Sequence, residues 1–225
     1  MPYLYLVRHG QPDFTGNYDS ITALGAQQST WLGEHFARRE LTFARVASGT
    51  LRRQVQTCDL VLTAMSASSV DPVYRDARFN EYDHASLLAF FAGDKLQALR
   101  AAGDRRGYFI AIRESLTAWT THAGPITNGE SWDEFGARID AGVAELCEGL
   151  GRDDNVLIVT SGGVIGRYTA ASLGANSDAA IQLNLQTRNT GVTEVVRSGA
   201  SVRVVTFNGV PHLERADRAH AVTYS

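Results

Sequence analysis

Apolar and polar positions along the chain follow two alternating rhythms. Short unbroken apolar runs, Tyr3-Leu4-Tyr5-Leu6-Val7 and Asn155-Val156-Leu157-Ile158-Val159-Thr160, have the length and branching of strands buried on both faces. Phe43-Ala44-Arg45-Val46-Ala47 is a shorter run ending at Ser48-Gly49, and 73–79 reads as a further strand that ends near Glu81. Between the strands, apolar residues recur at helical spacing. Leu24, Trp31, Leu32 and Phe36 predict a helix over about 24–38, and Val55, Leu60 and Val61 predict one over 51–64. Residues 130–150 form a long amphipathic pattern, and 164–173 continues from Ser161-Gly162-Gly163 as a helix. Residues 11–22 are polar and rich in turn formers, hence a loop. Residues 84–122 read as helical, with breaks at Gly93 and Gly103. Two closing strands near 191–197 and 202–208 flank Ser198-Gly199-Ala200, a hairpin signal.

Strands that alternate with helices predict an α/β fold of three layers, helix–sheet–helix, around a mostly parallel sheet. The closing hairpin requires an antiparallel pairing, so the sheet should be mixed. One domain over 1–225 is expected, with 84–122 as an inserted helical cap.

Composition narrows the function classes. The 225 residues are 44% hydrophobic and 20% charged, an ordinary globular balance, with a net charge of −3 that argues against generic nucleic-acid binding. Lys95 is the one lysine, so the positive charge is carried by arginine. Cys58 and Cys147 are too few for a disulfide scaffold and have no metal-site spacing. The opening apolar run is too short for a signal peptide and no segment reaches the length of a membrane span, which predicts a cytoplasmic protein. No cofactor and no metal are expected. Exposed apolar residues in the cap or on an edge strand would allow a homodimer.

The chemistry sits where strands end. Leu6-Val7-Arg8-His9-Gly10 places an arginine and a histidine at the mouth of the first strand, and open α/β sheets bind ligands at strand carboxyl ends. Arginine is a permanent cation with a planar fork of donors suited to phosphate, and a neutral imidazole can attack phosphorus. The pair points to covalent phosphoryl transfer. Three more strand ends carry Arg52-Arg53, Asn80-Glu81-Tyr82 and Thr160-Ser161-Gly162-Gly163. In a parallel sheet these converge on one edge.

These residues, in this order, resemble the histidine phosphatase superfamily, the phosphoglycerate-mutase-like proteins. The resemblance runs through Leu6-Val7-Arg8-His9-Gly10, Leu24-Gly25-Ala26-Gln27-Gln28, Arg53-Gln54-Val55-Gln56-Thr57, Glu81, Gly129-Glu130-Ser131, the turn at 156–163, and Asn208 with His212-Leu213. It implies that His9 is the nucleophile, that Arg8 and Arg53 hold the phosphoryl oxygens, and that Glu81 is the acid and then the base. Gln11 and Asn17, in the loop after the nucleophile, and Ser161 and Gly162 are candidate phosphate or substrate contacts. Arg52 is placed on the outer face of its helix.

One position departs from the pattern. The family carries a second histidine at the end of the strong strand, and here that place is Ser161. A serine offers one neutral hydrogen bond, and its shortness leaves a gap that a water is expected to fill. Losing one well-placed transition-state donor costs about 10²–10³ in rate. The expectation is a phosphatase of reduced activity on a small phosphomonoester. The alternative is a phosphate-binding regulatory protein with negligible turnover, and a phosphoglycerate mutase ranks below both. His84, three residues beyond Glu81, is a candidate to compensate, whereas His212 matches a histidine that the family already has.

Overall fold

A computed structural model of the chain describes residues 2–13, 18–66, 72–199 and 201–224. Six strands form one sheet: β1 (Tyr3–Arg8), β2 (Arg45–Ser48), β3 (Val73–Arg75), β4 (Asn155–Thr160), β5 (Val192–Ser198) and β6 (Ser201–Gly209), in the order β3-β2-β4-β1-β5-β6. The pairs β1–β4, β2–β4 and β2–β3 are parallel; β1–β5 and β5–β6 are antiparallel. The sheet is mixed, as the hairpin requires.

Strand alternation sorts the core into two clusters. Leu4, Leu6, Val156 and Ile158 face one way, while Tyr5, Val7, Leu157 and Val159 face the other. Helices α1 (Ala23–Arg38) and α2 (Arg52–Ala64) cover the second face, with Leu32, Phe36, Cys58 and Val61 buried there. The first face receives the 84–121 segment, which folds as α3 (His84–Phe91), α4 (Gly93–Ala101) and α5 (Arg105–Thr121). It also receives α6 (Trp132–Cys147) and α7 (Gly162–Ser172). The chain therefore leaves β1 toward one face and leaves its neighbour β4 toward the other. The crevice between two strands whose connections diverge is where such sheets bind ligands.

Three differences from the sequence reading stand out. The strand expected over 73–79 stops at Arg75, because the Asp76 carboxylate accepts from Arg78 N–H (2.8 Å) and starts a 3₁₀ turn at Ala77–Phe79. The helix expected over 130–150 starts at Trp132, where Ser131 and Glu134 cap it reciprocally, and ends at Cys147. An unforeseen helix α8 (Ser177–Gln186) follows α7; it buries only Ala180 and Ile181, too narrow a stripe to read as periodicity. Gly166 lets the two helices meet, since a Cβ there would lie 2.6 Å from Ala180 O. Among the described residues no helix is long and apolar enough to cross a membrane.

The α1–α2 contact depends on a missing side chain. A Cβ on Gly33 would stand 2.3 Å from Val61 O and 2.7 Å from Ala64 Cβ. Alanine at a helix interior position normally stabilises by about 1 kcal/mol over glycine. Here Gly33→Ala should destabilise by about 1–3 kcal/mol, the usual effect of overpacking, read as a lowered denaturant midpoint. An unchanged or raised midpoint would show that the two helices separate without cost.

Candidate active site

His9 continues β1 by one residue, its N–H donating to Thr160 O (2.9 Å), so it stands beside Ser161 at the end of β4. By alternation both side chains belong to the face covered by α2, with Val7 and Val159. His9 is 1% exposed. Its Nδ1 lies 2.8 Å from Gly10 O. A carbonyl can only accept, so Nδ1 carries the proton and Nε2 carries the lone pair. Arg53 Nε–H donates to that Nε2 (3.3 Å). Burial first, then Arg53 and Arg8, hold the imidazole pKa well below the usual histidine range. The ring is neutral at physiological pH.

The backbone around His9 is held from several sides. Gly10 N–H donates to Thr57 Oγ1 (2.9 Å), whose hydroxyl donates to Arg53 O (2.7 Å). Asn189 Nδ2 donates to His9 O (3.2 Å), and Thr190 N–H to Arg8 O (3.1 Å). Thr190 has φ +56°, an unfavourable conformation for a β-branched residue. Its hydroxyl donates to Asn189 O (2.7 Å) and accepts from His212 Nε2 (2.8 Å). Burial drives His212 down to about 3, with His35 and Arg218 adding to the effect. His212 thus braces the loop behind His9. His84 stacks on Tyr82, ring centroids 5.9 Å apart.

Two arginines approach from different elements. Arg8, buried at the end of β1, donates through Nη1 to Thr187 O, just beyond α8. Arg53 lies in the first turn of α2, and its Nη1 is paired with Asp19 Oδ1 (2.9 Å). Asp19 Oδ2 accepts from Arg52 N–H (3.1 Å). The carboxylate therefore sits at a helix N-terminus and on a guanidinium, two environments that attract phosphate. Tyr18 lies over the Arg53 guanidinium, 5.0 Å from ring centroid to Cζ. The Arg52 side chain is exposed.

Glu81 is half-buried and fixed on the opposite side. Its Oε2 accepts from Gly163 N–H (3.0 Å) and its Oε1 from Tyr82 N–H (3.3 Å). Burial raises its pKa, against the lowering effects of the Gly163 N–H, Arg53 and Arg8. The net direction is upward. Arg138 anchors the preceding turn: Nη1 donates to Arg78 O (2.6 Å) and Asn80 O (2.9 Å), while Glu130 grips Nε and Nη2 (2.7 Å each).

Ser161 is fully buried and its Oγ accepts from Gln54 Nε2 (2.8 Å). Gly162 opens α7, where a Cβ would meet Thr187 Oγ1 at 2.6 Å. Gln11 turns toward the start of α1, its Oε1 accepting from Thr22 Oγ1 (2.9 Å). Asn17 lies outside the described residues. The structure thus gathers Arg8, His9, Arg53, Glu81, Ser161 and Gly162 at one sheet edge. Gln54 and Asp19 belong to that edge too and were not singled out from sequence. A polar residue on the buried side of α2 was the available signal for Gln54. Asp19 looked like any turn former. Among the described residues no group of three or more His, Cys, Asp or Glu is placed to hold a metal ion.

Known proteins resemble the chain in sequence and in fold. The family model described as histidine phosphatase superfamily (branch 1) matches residues 4–209. A Salmonella arizonae protein named "Probable phosphoglycerate mutase GpmB" is 29% identical over 202 residues, covering 87% of this chain and 85% of its own length. Among solved structures, Bacillus stearothermophilus YhfR superposes with a TM-score of 0.68 at 21% identity, over 95% of this chain and 100% of that one. A mycobacterial glucosyl-3-phosphoglycerate phosphatase, complexed with VO3, does so with 0.66 at 23%, over 93% and 100%.

The Asp19–Arg53 pair sets a measurable property of the site. A carboxylate on the guanidinium opposes an incoming anion, so Asp19→Asn should tighten inorganic phosphate or vanadate binding by about 3–10-fold at low salt, with the gain shrinking as salt is added. Weaker binding in the variant would mean that Asp19 chiefly aims Arg53.

Proposed function

Since the chain belongs to the histidine phosphatase superfamily, we propose that it hydrolyses a small phosphomonoester through a phosphohistidine at Nε2 of His9. The observation that carries the reading is the His9 Nδ1–H bond to Gly10 O, which leaves a neutral ring with its lone pair on the Arg53 side.

In the first step Nε2 forms a bond to phosphorus while the ester oxygen leaves. Arg8 and Arg53 hold the equatorial oxygens over which charge spreads, and positioning with fixed positive charge does most of the work in such transfers. Glu81, its carboxyl pKa raised by burial, gives its proton to the departing alkoxide. In the second step the Glu81 carboxylate takes a proton from water, the resulting hydroxide attacks phosphorus, and His9 departs as the neutral ring. Inorganic phosphate is released and Glu81 is protonated again. The Ser161 hydroxyl supplies one neutral hydrogen bond to the phosphoryl group, in the place of the family's second histidine.

A mutase reading draws on the Salmonella relative's name. The Asp19 carboxylate weighs against it, because its pairing with Arg53 offsets one of the cations that a carboxylated phosphate ester would draw on. A regulatory role without turnover has only Ser161 in its favour, and the gathering of His9, Arg8, Arg53 and Glu81 at one edge weighs against it.

Hydrolysis of an aryl phosphate in EDTA tests the reading. The parent protein should turn over, and His9→Ala should reduce the rate to that of the buffer. Equal rates in the two proteins would leave a phosphate-binding module instead, and phosphoryl transfer to an added phosphoglycerate in preference to water would establish the mutase.

A further inference from the structure

We infer that Gln54 is a positioning residue, whose side-chain amide holds Ser161 so that the serine hydroxyl donates to the phosphoryl group. The inference rests on the phosphatase reading for the identity of the acceptor, and on the following geometry for the rest.

Gln54 is fully buried in the first turn of α2, next to Arg53. Its Oε1 accepts from Leu51 N–H (3.3 Å). Its Nε2 donates to Phe79 O (3.1 Å) and to Ser161 Oγ (2.8 Å). Reversing the amide would set oxygen against the Phe79 carbonyl and NH₂ against the Leu51 N–H, so the orientation is determined. The close fit depends on Gly49, where a Cβ would fall 1.9 Å from Gln54 Oε1.

Both Nε2 protons are therefore in use, and Ser161 Oγ must accept one of them. A hydroxyl that accepts from one side directs its own proton elsewhere. Ser161 occupies the N-cap position of α7, where a serine oxygen ordinarily accepts from the second or third helical N–H. It does not do so here. The Glu81 carboxylate takes the Gly163 N–H, which frees the serine for Gln54. The His9 ring belongs to the same face of the adjacent strand, so a phosphoryl group on Nε2 is the nearest anion that the site is built to receive.

The arrangement makes the two residues one functional unit, which a double-mutant cycle can read. Gln54→Met keeps most of the volume and removes the amide. It should lower kcat on an aryl phosphate by about 10–100-fold with KM changed less than about threefold, and weaken vanadate binding in parallel, because the donor is realised most strongly on the transition state. Ser161→Ala should do the same. In the Ser161→Ala background, Gln54→Met should change kcat and vanadate affinity by less than about twofold. Equal losses in both backgrounds would overturn the inference in favour of a purely structural glutamine, as would an unaltered kcat in Gln54→Met alone. If Gln54→Met fails to fold, Gln54→Glu carries the same test. Its carboxylate would draw the Ser161 proton to itself, so kcat should fall at neutral pH and recover as pH is lowered. A pH profile parallel to the parent's would reject the inference. Should the parent show no His9-dependent turnover, the phosphatase reading fails by itself. The vanadate arm then decides the role of Gln54 separately, and undiminished vanadate affinity in Gln54→Met rejects it.

Discussion

One hydrogen bond governs the chemistry of this edge of the sheet: His9 Nδ1–H to the carbonyl of Gly10. It fixes the tautomer, and burial beside two guanidiniums keeps the ring from taking a second proton. Without that bond the ring could turn or exchange tautomers, and Nε2 would no longer offer a lone pair in a defined direction. Much of the surrounding structure keeps this bond in place. Thr57 holds Gly10 N–H, Asn189 and Thr190 hold the carbonyls of His9 and Arg8, and His212 braces Thr190 from beneath.

The first two turns of α2 connect fold and chemistry. Arg53 addresses His9, Gln54 addresses Ser161, and Thr57 addresses Gly10, each across the crevice at the ends of β1 and β4. The helix is set against α1 by the close approach at Gly33, so packing far from the crevice fixes the angle at which these side chains arrive. On the other side, the Glu81 carboxyl accepts from Gly163 N–H at the start of α7, and burial raises its pKa.

The parts legible in sequence were those that local physics dictates. β1 and β4 announce themselves because strands buried on both faces need unbroken apolar runs, and His9, Arg8 and Ser161 follow directly from their ends. The hairpin was readable from its turn, and with it the mixed sheet. α8 was hidden because it buries two residues and leans on Gly166 for contact. The shortened β3 was hidden because an aspartate side chain, through a hydrogen bond two residues on, outcompeted the strand ladder. Gln54 could not be assigned locally, since its meaning depends on a serine 107 positions away. Asp19 looked like a turn former because its partner, Arg53, is brought to it only by tertiary folding.

The claim that most else depends on is a covalent phosphoryl group on His9. Trapping the protein in acid-free denaturant after mixing with radiolabelled phosphomonoester, then mapping the label by peptide analysis, tests it directly. Label should appear on the peptide containing His9, survive base, be lost in acid, and be absent from His9→Ala. Label on a serine peptide, acid-stable label, or turnover with no trapped label would overturn it.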